Sequence, residues 1–242
     1  MSYDYSENIL VQESAGHLLE DEFGWRVELA YNTEVLGETG TFGRKSYKKI
    51  LLVKYLKEAL LKLNPWLTPA LLEDAIKTFE SHMSSASLMQ INEEKYRHIR
   101  DGIPVKVKKP NGQSEEKKAI VIDFTNTENN DFLAIKEMKI HGDLYRRRTD
   151  IVGFVNGIPL LFIELKKNSV DVQNAYTDNY TDYLDTIPHL FYYNAFLILS
   201  NGTEAKVETL GSKYEFFHEW KRLSEQEEGN VALETMLRGI CK

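Results

Sequence analysis

The spacing of hydrophobic and polar positions divides the chain into a helical first part and a second part rich in strands. Apolar residues recur at near-helical spacing before residue 100 and alternate with polar residues after Ile103. The first part is predicted to contain an opening helix over 6–23, an extended piece starting at Trp25, and helices over 47–63, from Pro69 with Thr68 as N-cap, and over about 87–97.

The second part is predicted to contain several strands and one long connecting helix. The strands are IPVKVKK and KKAIVIDF around the tip PNGQSEE, then FLAIKEMKI, Ile151–Val155, Ile158–Leu165, AFLILS and AKVETL. A helix over 172–184 joins two of them, and a short helix over YEFFHEWKRL precedes a polar tail. This order predicts an α/β fold, in which helices flank both sides of a mixed sheet.

Length and composition limit the class of protein. The chain has 242 residues, of which 42% are hydrophobic and 28% charged, enough for a sizeable core. We interpret residues 1–242 as a single domain with a helical subregion at about 45–100 and a core at about 103–220. Its single cysteine, Cys241, excludes an intrachain disulfide and suits a reducing cytoplasm. No signal sequence or long apolar run is present, so we expect no membrane insertion.

The net charge of −7 argues against a free-standing, tight nucleic-acid binder, so any contact with nucleic acid must use local patches. The most basic neighbourhood is the first hairpin of the second part, which carries Lys106, Lys108, Lys109, Lys117 and Lys118. These lysines either protect a sheet edge or contact phosphate, and the sequence leaves both open. The segment LGETGTFGRKS fails as a phosphate loop, because counting from Gly43 the motif needs glycine at position 38 and lysine at position 44, where the chain has Glu38 and Arg44.

Three charged residues stand out beside the apolar strand Ile158–Leu165. Asp150 precedes the first strand of the Asn156-Gly157 hairpin, and Glu164 and Lys166 end the second. Two carboxylates can hold Mg²⁺, which activates water for phosphodiester hydrolysis, while a lysine orients that water and offsets negative charge. A structural salt bridge at a strand end is the alternative that this spacing leaves open.

The register of this hairpin decides whether the two acids can meet. A two-residue turn pairs Val155 with Ile158 and would set Asp150 opposite Ile163, on the other face from Glu164. A three-residue turn, or one bulge between Asp150 and Val155, brings both carboxylates to one face. We therefore predict such an irregularity.

The stretch RRRTDIVGFVNGIPLLFIELKK resembles the nuclease motif of type I restriction enzyme R subunits. The resemblance extends to GRKSYKKILLVKYLKEALLKLNP, DFTNTENNDFLAIKEMKI and AFLILSNGT, and so covers about Ser6 to Trp220. It implies a restriction-endonuclease-like PD-(D/E)XK core that cuts DNA with Mg²⁺. Asp150 and Glu164 would be the metal ligands, and Lys166 the catalytic lysine.

The resemblance also implies a larger assembly around a single endonuclease domain. R subunits carry ATP-driven motor domains, and this chain has no Walker A sequence, so we interpret it as an N-terminal fragment of a longer protein. ATP would then be a cofactor of the missing motor domains only. The expected activity is non-specific cleavage of double-stranded DNA after translocation, in a cytoplasmic complex with modification and specificity subunits. Two alternatives stay open: a PD-(D/E)XK nuclease of another DNA-processing system, and a non-catalytic subunit-docking module with a vestigial site.

The chain departs from the family pattern at two positions. Thr149 replaces the usual proline, and Asn179 with Tyr183 replaces a Gln-X3-Tyr pair, so the amide is one methylene shorter. The resemblance assigns DNA contacts to Asn179 and Tyr183, and an accessory acid near the metal to Glu13. Further phosphate contacts are expected from basic residues beside the motif, namely Arg146, Arg147, Arg148 and Lys167.

Overall fold

A computed structural model describes residues 4–109, 112–220, 223 and 232–241. Six helices and eleven strands lie within these residues. In chain order they are α1 (Asp4–Asp21), β1 (Arg26–Leu29), α2 (Val53–Leu63), α3 (Pro69–Glu80), α4 (Leu88–Asp101), β2 (Ile103–Lys108), β3 (Ser114–Ala119), β4 (Phe132–Lys136), β5 (Lys139–His141), β6 (Arg146–Arg148), β7 (Ile151–Val155), β8 (Ile158–Leu165), α5 (Thr181–Thr186), β9 (Phe196–Ser200), β10 (Ala205–Glu208), β11 (His218–Glu219) and α6 (Ala232–Ile240). A π-helical segment, Ala175–Tyr180, leads directly into α5.

Seven strands form one mixed sheet in the order β1-β4-β7-β8-β9-β10-β11. The pairs β1–β4 and β8–β9 are parallel, and the other neighbours are antiparallel. Hydrophobic clusters cover both faces of the sheet: one includes residues of α1 and α6, and the other includes residues of the π-helical segment and α5. The predicted α/β class with helices on both sides of a mixed sheet is confirmed.

The central strand β8 explains why its charged end stands out. All of its residues except Leu160 are buried, as expected for a strand covered on both faces. Phe162 makes edge-to-face contacts with Tyr183 and Phe191, with ring centroids 5.9 Å and 5.4 Å away. These contacts fix the connecting helix against the strand that carries Glu164.

The hairpin β7–β8 has the predicted irregularity. Val155 pairs with Ile158 across a two-residue turn in which both Asn156 and Gly157 have positive φ, as a type I′ turn requires. The register shifts between Gly153 and Phe154, and the additional residue lies on β8 at Leu160. Beyond this bulge Ile151 faces Ile163, and continuing the register places Asp150 opposite Glu164.

Strands β4 and β5 run antiparallel to β7 and β6 as one long ribbon. The predicted single strand FLAIKEMKI is interrupted at Glu137, which has φ +54°. Backbone bonds from Glu137 N–H to the Asp150 carbonyl (2.9 Å) and from Thr149 N–H to the Met138 carbonyl (3.1 Å) carry the pairing across the interruption. Asp150 therefore lies at the junction of the ribbon β5–β6 with the main sheet.

Several predicted boundaries were wrong. Helix α2 starts at Val53 rather than residue 47, because Leu51 and Leu52 are buried in different clusters and the Leu52 N–H donates to the Gly157 carbonyl. Strand β3 occupies Ser114–Ala119 instead of continuing through Phe124.

Two errors lie near the C-terminus. The predicted helix over YEFFHEWKRL is a 3₁₀ turn at Tyr214–Phe216 followed by β11, and the predicted polar tail contains α6. Part of the predicted hairpin tip PNGQSEE lies outside the described residues. In the part of the chain that the structure describes, no helix combines the length and hydrophobicity needed to cross a membrane.

Candidate active site

Asp150 is held firmly at the start of β7. Its carbonyl accepts hydrogen bonds from Glu137 N–H and from the Gln12 side-chain amide, at 2.9 Å and 3.1 Å. Its carboxylate oxygen Oδ2 accepts from the Leu165 N–H at 2.7 Å. Burial raises the pKa of Asp150 to about 6, although the Leu165 bond and the charge of Lys166 act against that increase.

Glu164 is the most deeply buried acid of this cluster. Its residue is 2% exposed, and among the described residues its Oε2 atom has no hydrogen-bond partner. Burial raises the pKa of Glu164 well above its usual value, and the neighbouring charge of Asp150 raises it further. An ionised Glu164 needs a positive partner because unpaired charge is costly in such an environment.

Lys166 comes from the same end of β8 and is positioned by the connecting helix. Its backbone N–H donates to the Ser200 carbonyl at 2.8 Å, and its Nζ donates to Asn179 Oδ1. The Tyr183 hydroxyl donates to the Arg148 carbonyl at 3.0 Å. Burial raises the pKa of Tyr183, with a further contribution from the charge of Glu164. Asn179 therefore joins the connecting helix to Lys166, and Tyr183 joins it to the backbone two residues before Asp150.

The opening helix α1 reaches the cluster through Gln12 rather than Glu13. Gln12 is 6% exposed and donates to the Asp150 backbone. Both Glu13 carboxylate oxygens accept hydrogen bonds from Lys136 Nζ at 2.7 Å. Glu13 is thus committed to an ion pair beside the site, and its role as an accessory acid remains a prediction.

The basic residues beside the motif have different surroundings. Arg147 forms an ion pair with Asp182, including a 2.7 Å bond from Nη2. Arg148 lies 3.4 Å from Glu137, while Arg146 is exposed. Lys167 is partly buried.

Among the residues that the structure describes, a cation would find two carboxylates at this position. Among the described residues, no group of three or more His, Cys, Asp or Glu side chains could hold a metal ion. The unpartnered Oε2 of Glu164 and the position of Asp150 opposite it nevertheless fit a cation, because burial disfavours the ionised form of both acids and a bound cation would stabilise that form. Oxygen ligands of this kind suit Mg²⁺, which keeps several of its waters.

Sequence reasoning did not identify Gln12 or Glu137. A buried glutamine next to a glutamate on a helix carries no pattern that distinguishes it, and Glu137 lies inside an apparently regular strand. The only available signal for Glu137 was its position opposite Asp150 in the ribbon, which becomes visible once the register is known.

The fold and the cluster together define an α/β domain with two carboxylates and a lysine at the end of a central hairpin. The family model for the type I restriction enzyme R protein N terminus matches residues 4–216, and the chain belongs to this family.

Proteins similar in sequence to this chain are named as endonuclease subunits of type I restriction enzymes. The HindI endonuclease subunit of a type I restriction enzyme from Haemophilus influenzae is 30% identical over 228 residues, which cover 90% of this chain and 21% of that protein. The putative MjaIXP endonuclease subunit from Methanocaldococcus jannaschii is 28% identical over 193 residues, covering 78% of this chain and 18% of that protein. The chain therefore spans about a fifth of the length of these relatives.

Proposed function

We propose that this chain is the Mg²⁺-dependent endonuclease domain of a type I restriction enzyme R subunit, with a PD-(D/E)XK core that hydrolyses phosphodiester bonds of double-stranded DNA. The observation that carries the proposal is the bulge in β8. It places Asp150 opposite Glu164, with Lys166 at the same end of the strand and Oε2 of Glu164 without a partner in the described residues. A purely structural salt bridge needs neither a second acid nor that free oxygen.

Each residue has a role that its surroundings support. Asp150 and Glu164 would hold Mg²⁺, which when bound polarises the phosphate and acidifies a water molecule. The Leu165 N–H fixes one oxygen of Asp150, leaving its other oxygen for the ion. Lys166 would offset charge that develops on the phosphate, and Asn179 Oδ1 keeps its ammonium group in place.

The remaining parts of the proposal concern the whole protein. ATP-driven translocation by motor domains would deliver DNA to this domain, and modification and specificity subunits would choose the recognition site. Such an arrangement agrees with the net charge of −7, since a domain supplied with DNA by a motor needs little affinity of its own. The relatives' names as endonuclease subunits support this assignment.

The test is plasmid cleavage by the complete enzyme complex with ATP and Mg²⁺. Asp150→Asn, Glu164→Gln and Lys166→Met should each reduce cleavage by at least about 100-fold, because each removes charge from the reacting centre. Translocation, measured separately, should continue at the wild-type rate. Asp185→Asn removes an exposed carboxylate from α5 and is the matched control.

Normal cleavage by all three variants would exclude the proposal and favour a docking module with a vestigial site. Loss of cleavage and translocation together would indicate a defect in assembly, which the amount of complex recovered on gel filtration would reveal.

A further inference from the structure

The ribbon β5–β6 has two faces of very different character. Its register pairs Lys139 with Arg148, Ile140 with Arg147, and His141 with Arg146. Paired residues share a face and alternate along the strands. One face therefore carries Ile140 and Arg147, which point to the body of the protein, where Ile140 is buried and Arg147 pairs with Asp182.

The other face, which we call the basic face, consists of Lys139, His141, Arg146 and Arg148. Both arginines are exposed. The guanidinium of Arg148 lies 4.6 Å from the ring centroid of Tyr31, and Lys139 Nζ lies 5.0 Å from the same centroid. A shared aromatic ring thus holds the two cations next to each other, although like charges repel.

Acidic residues compensate this face only in part. Between Glu137 and Arg148 the sequence has four cationic side chains and two acids. One acid, Asp143, pairs with Lys48 at 2.8 Å, and the other, Glu137, lies 3.4 Å from Arg148. Burial lowers the pKa of His141, and the charges of Arg146, Arg44, Lys139 and Lys48 lower it further, which agrees with a positive potential around the basic face.

The basic face is close to the candidate active site along the chain. Arg148 precedes Asp150 by two residues and Arg146 by four. At about 3.3 Å per residue of extended strand, these arginines lie about 7 Å and 13 Å before the acid. Those lengths correspond to about two and four base steps along a DNA duplex.

We propose that the basic face binds the phosphodiester backbone of duplex DNA beside the bond to be cut, with Arg146 and Arg148 as the phosphate contacts and Tyr31 as the support of Arg148. This inference rests on the proposed nuclease function and assigns its substrate-binding surface. The proposal does not include Arg147 among the phosphate contacts, because its guanidinium is paired with Asp182. Charge complementarity favours DNA, because the regularly spaced phosphates of one DNA strand match the arginines spaced along β6.

The tip of the ribbon adds an apolar element to this surface. Leu144 is 88% exposed and Tyr145 is half exposed, with the Arg147 guanidinium 5.1 Å from the tyrosine ring. Proteins that bind the minor groove frequently insert apolar side chains such as leucine between base steps. Leu144 therefore lies in a DNA groove when the basic face is on the backbone.

The experiment measures binding of a fluorescent 30-base-pair duplex to the 242-residue chain, without divalent metal, between 20 and 200 mM salt. The double variant Arg146→Gln/Arg148→Gln should weaken binding at least about tenfold at low salt. It should also reduce the slope of log affinity against log salt by about 1.8, the value for two lost phosphate contacts. Leu144→Ser should weaken binding without changing that slope.

The control is Lys106→Gln/Lys108→Gln, which removes the same charge from two exposed positions of the ribbon β2–β3. Those lysines lie opposite or near Glu115 and Glu116 in the register. The control should keep the wild-type slope. Equal slopes for wild type and the arginine variant, or no salt-dependent binding at 20 mM salt, would refute the inference.

Two further results separate this inference from others. Displacement of DNA by poly-glutamate at equal charge concentration would reassign the basic face to an acidic protein and overturn the proposal. If the arginine variant loses DNA while the active-site variants still cut plasmid in the complete enzyme, the nuclease assignment fails and the DNA-binding surface stands.

Discussion

The raised pKa of Asp150 makes a prediction about stability that can be tested without any nuclease assay. A carboxyl group whose pKa is higher in the folded state than in the unfolded state binds its proton more tightly when folded. Its contribution to the free energy of unfolding is therefore favourable below the unfolded pKa and is lost as pH rises through the folded pKa. Asp150→Asn should remove this pH-dependent loss of stability, because the amide cannot ionise and its oxygen can still accept a hydrogen bond from the Leu165 N–H.

The expected size follows from the two pKa values. The pKa of Asp150 is about 6 in the fold, against an ordinary value of 3.8. At 1.36 kcal/mol per pKa unit, the difference amounts to about 3 kcal/mol at pH 7.5 and to about 0.5 kcal/mol at pH 4. Asp150 keeps partial access to solvent, so we expect the variant to be about 2 to 3 kcal/mol more stable than wild type at pH 7.5. Removing the charge also relieves Glu164, which adds in the same direction.

The assay is urea unfolding followed by tryptophan fluorescence at pH 4, 6 and 7.5, without divalent metal. The control is Asp182→Asn, whose carboxylate has a pKa lowered by Arg147 and should therefore respond with the opposite sign. That variant should be less stable than wild type at pH 7.5 and at pH 4 alike, because a carboxylate with a lowered pKa loses its stabilising contribution only as pH falls through its folded value, below 3.8. If Asp150→Asn is less stable than wild type at pH 7.5, or if its advantage does not shrink towards pH 4, the raised pKa is wrong.

Three further predictions concern the fold around the site. Gly157→Ala should reduce the free energy of unfolding by more than about 2 kcal/mol, because Gly157 has φ +78° and an added Cβ would lie 2.4 Å from the Leu52 carbonyl oxygen. Urea unfolding tests this, with Gly112→Ala as the control at a positive φ without a close neighbour, and a loss below about 1 kcal/mol would contradict it. Arg44→Met should cost about 3 to 5 kcal/mol by leaving buried Glu34 unpaired, and adding Glu34→Leu should restore much of that loss in the same assay. Burial lowers the pKa of His189, so the free energy of unfolding should fall as pH drops below about 6.5. His189→Gln should flatten that part of the plot of urea midpoint against pH, and an unchanged plot would contradict the lowered pKa.

Much of the hairpin that carries the candidate site was predictable from the sequence. The strand bounds Ile151–Val155 and Ile158–Leu165, the two-residue turn and the need for a bulge all followed from hydrophobic pattern and turn chemistry. The strand that carries the extra residue of the bulge could not be predicted from these patterns. Leu160 is that residue, and the Leu160 carbonyl accepts from Ala195 N–H at 2.8 Å, a contact with a loop distant in sequence.

Other features escaped prediction because tertiary contacts decide them. Glu137 interrupts a strand of regular alternation, and no local rule calls for positive φ at a glutamate. Helix α2 begins late since Leu52 is needed as a backbone partner of Gly157. Helix α6 has a strongly amphipathic pattern, yet it follows a polar segment and buries Leu233, Met236 and Leu237 against distant elements.

Asn179 shows how a departure from the family pattern can be accommodated. The amide is one methylene shorter than a glutamine, yet its Oδ1 accepts from Lys166 Nζ. The segment Ala175–Tyr180 that carries it is π-helical, and a π-turn is wider than an α-turn and displaces its side chains. The local widening and the shorter side chain act together to set the amide oxygen at the lysine. The backbone and the side chain at this position therefore have to be considered as one unit.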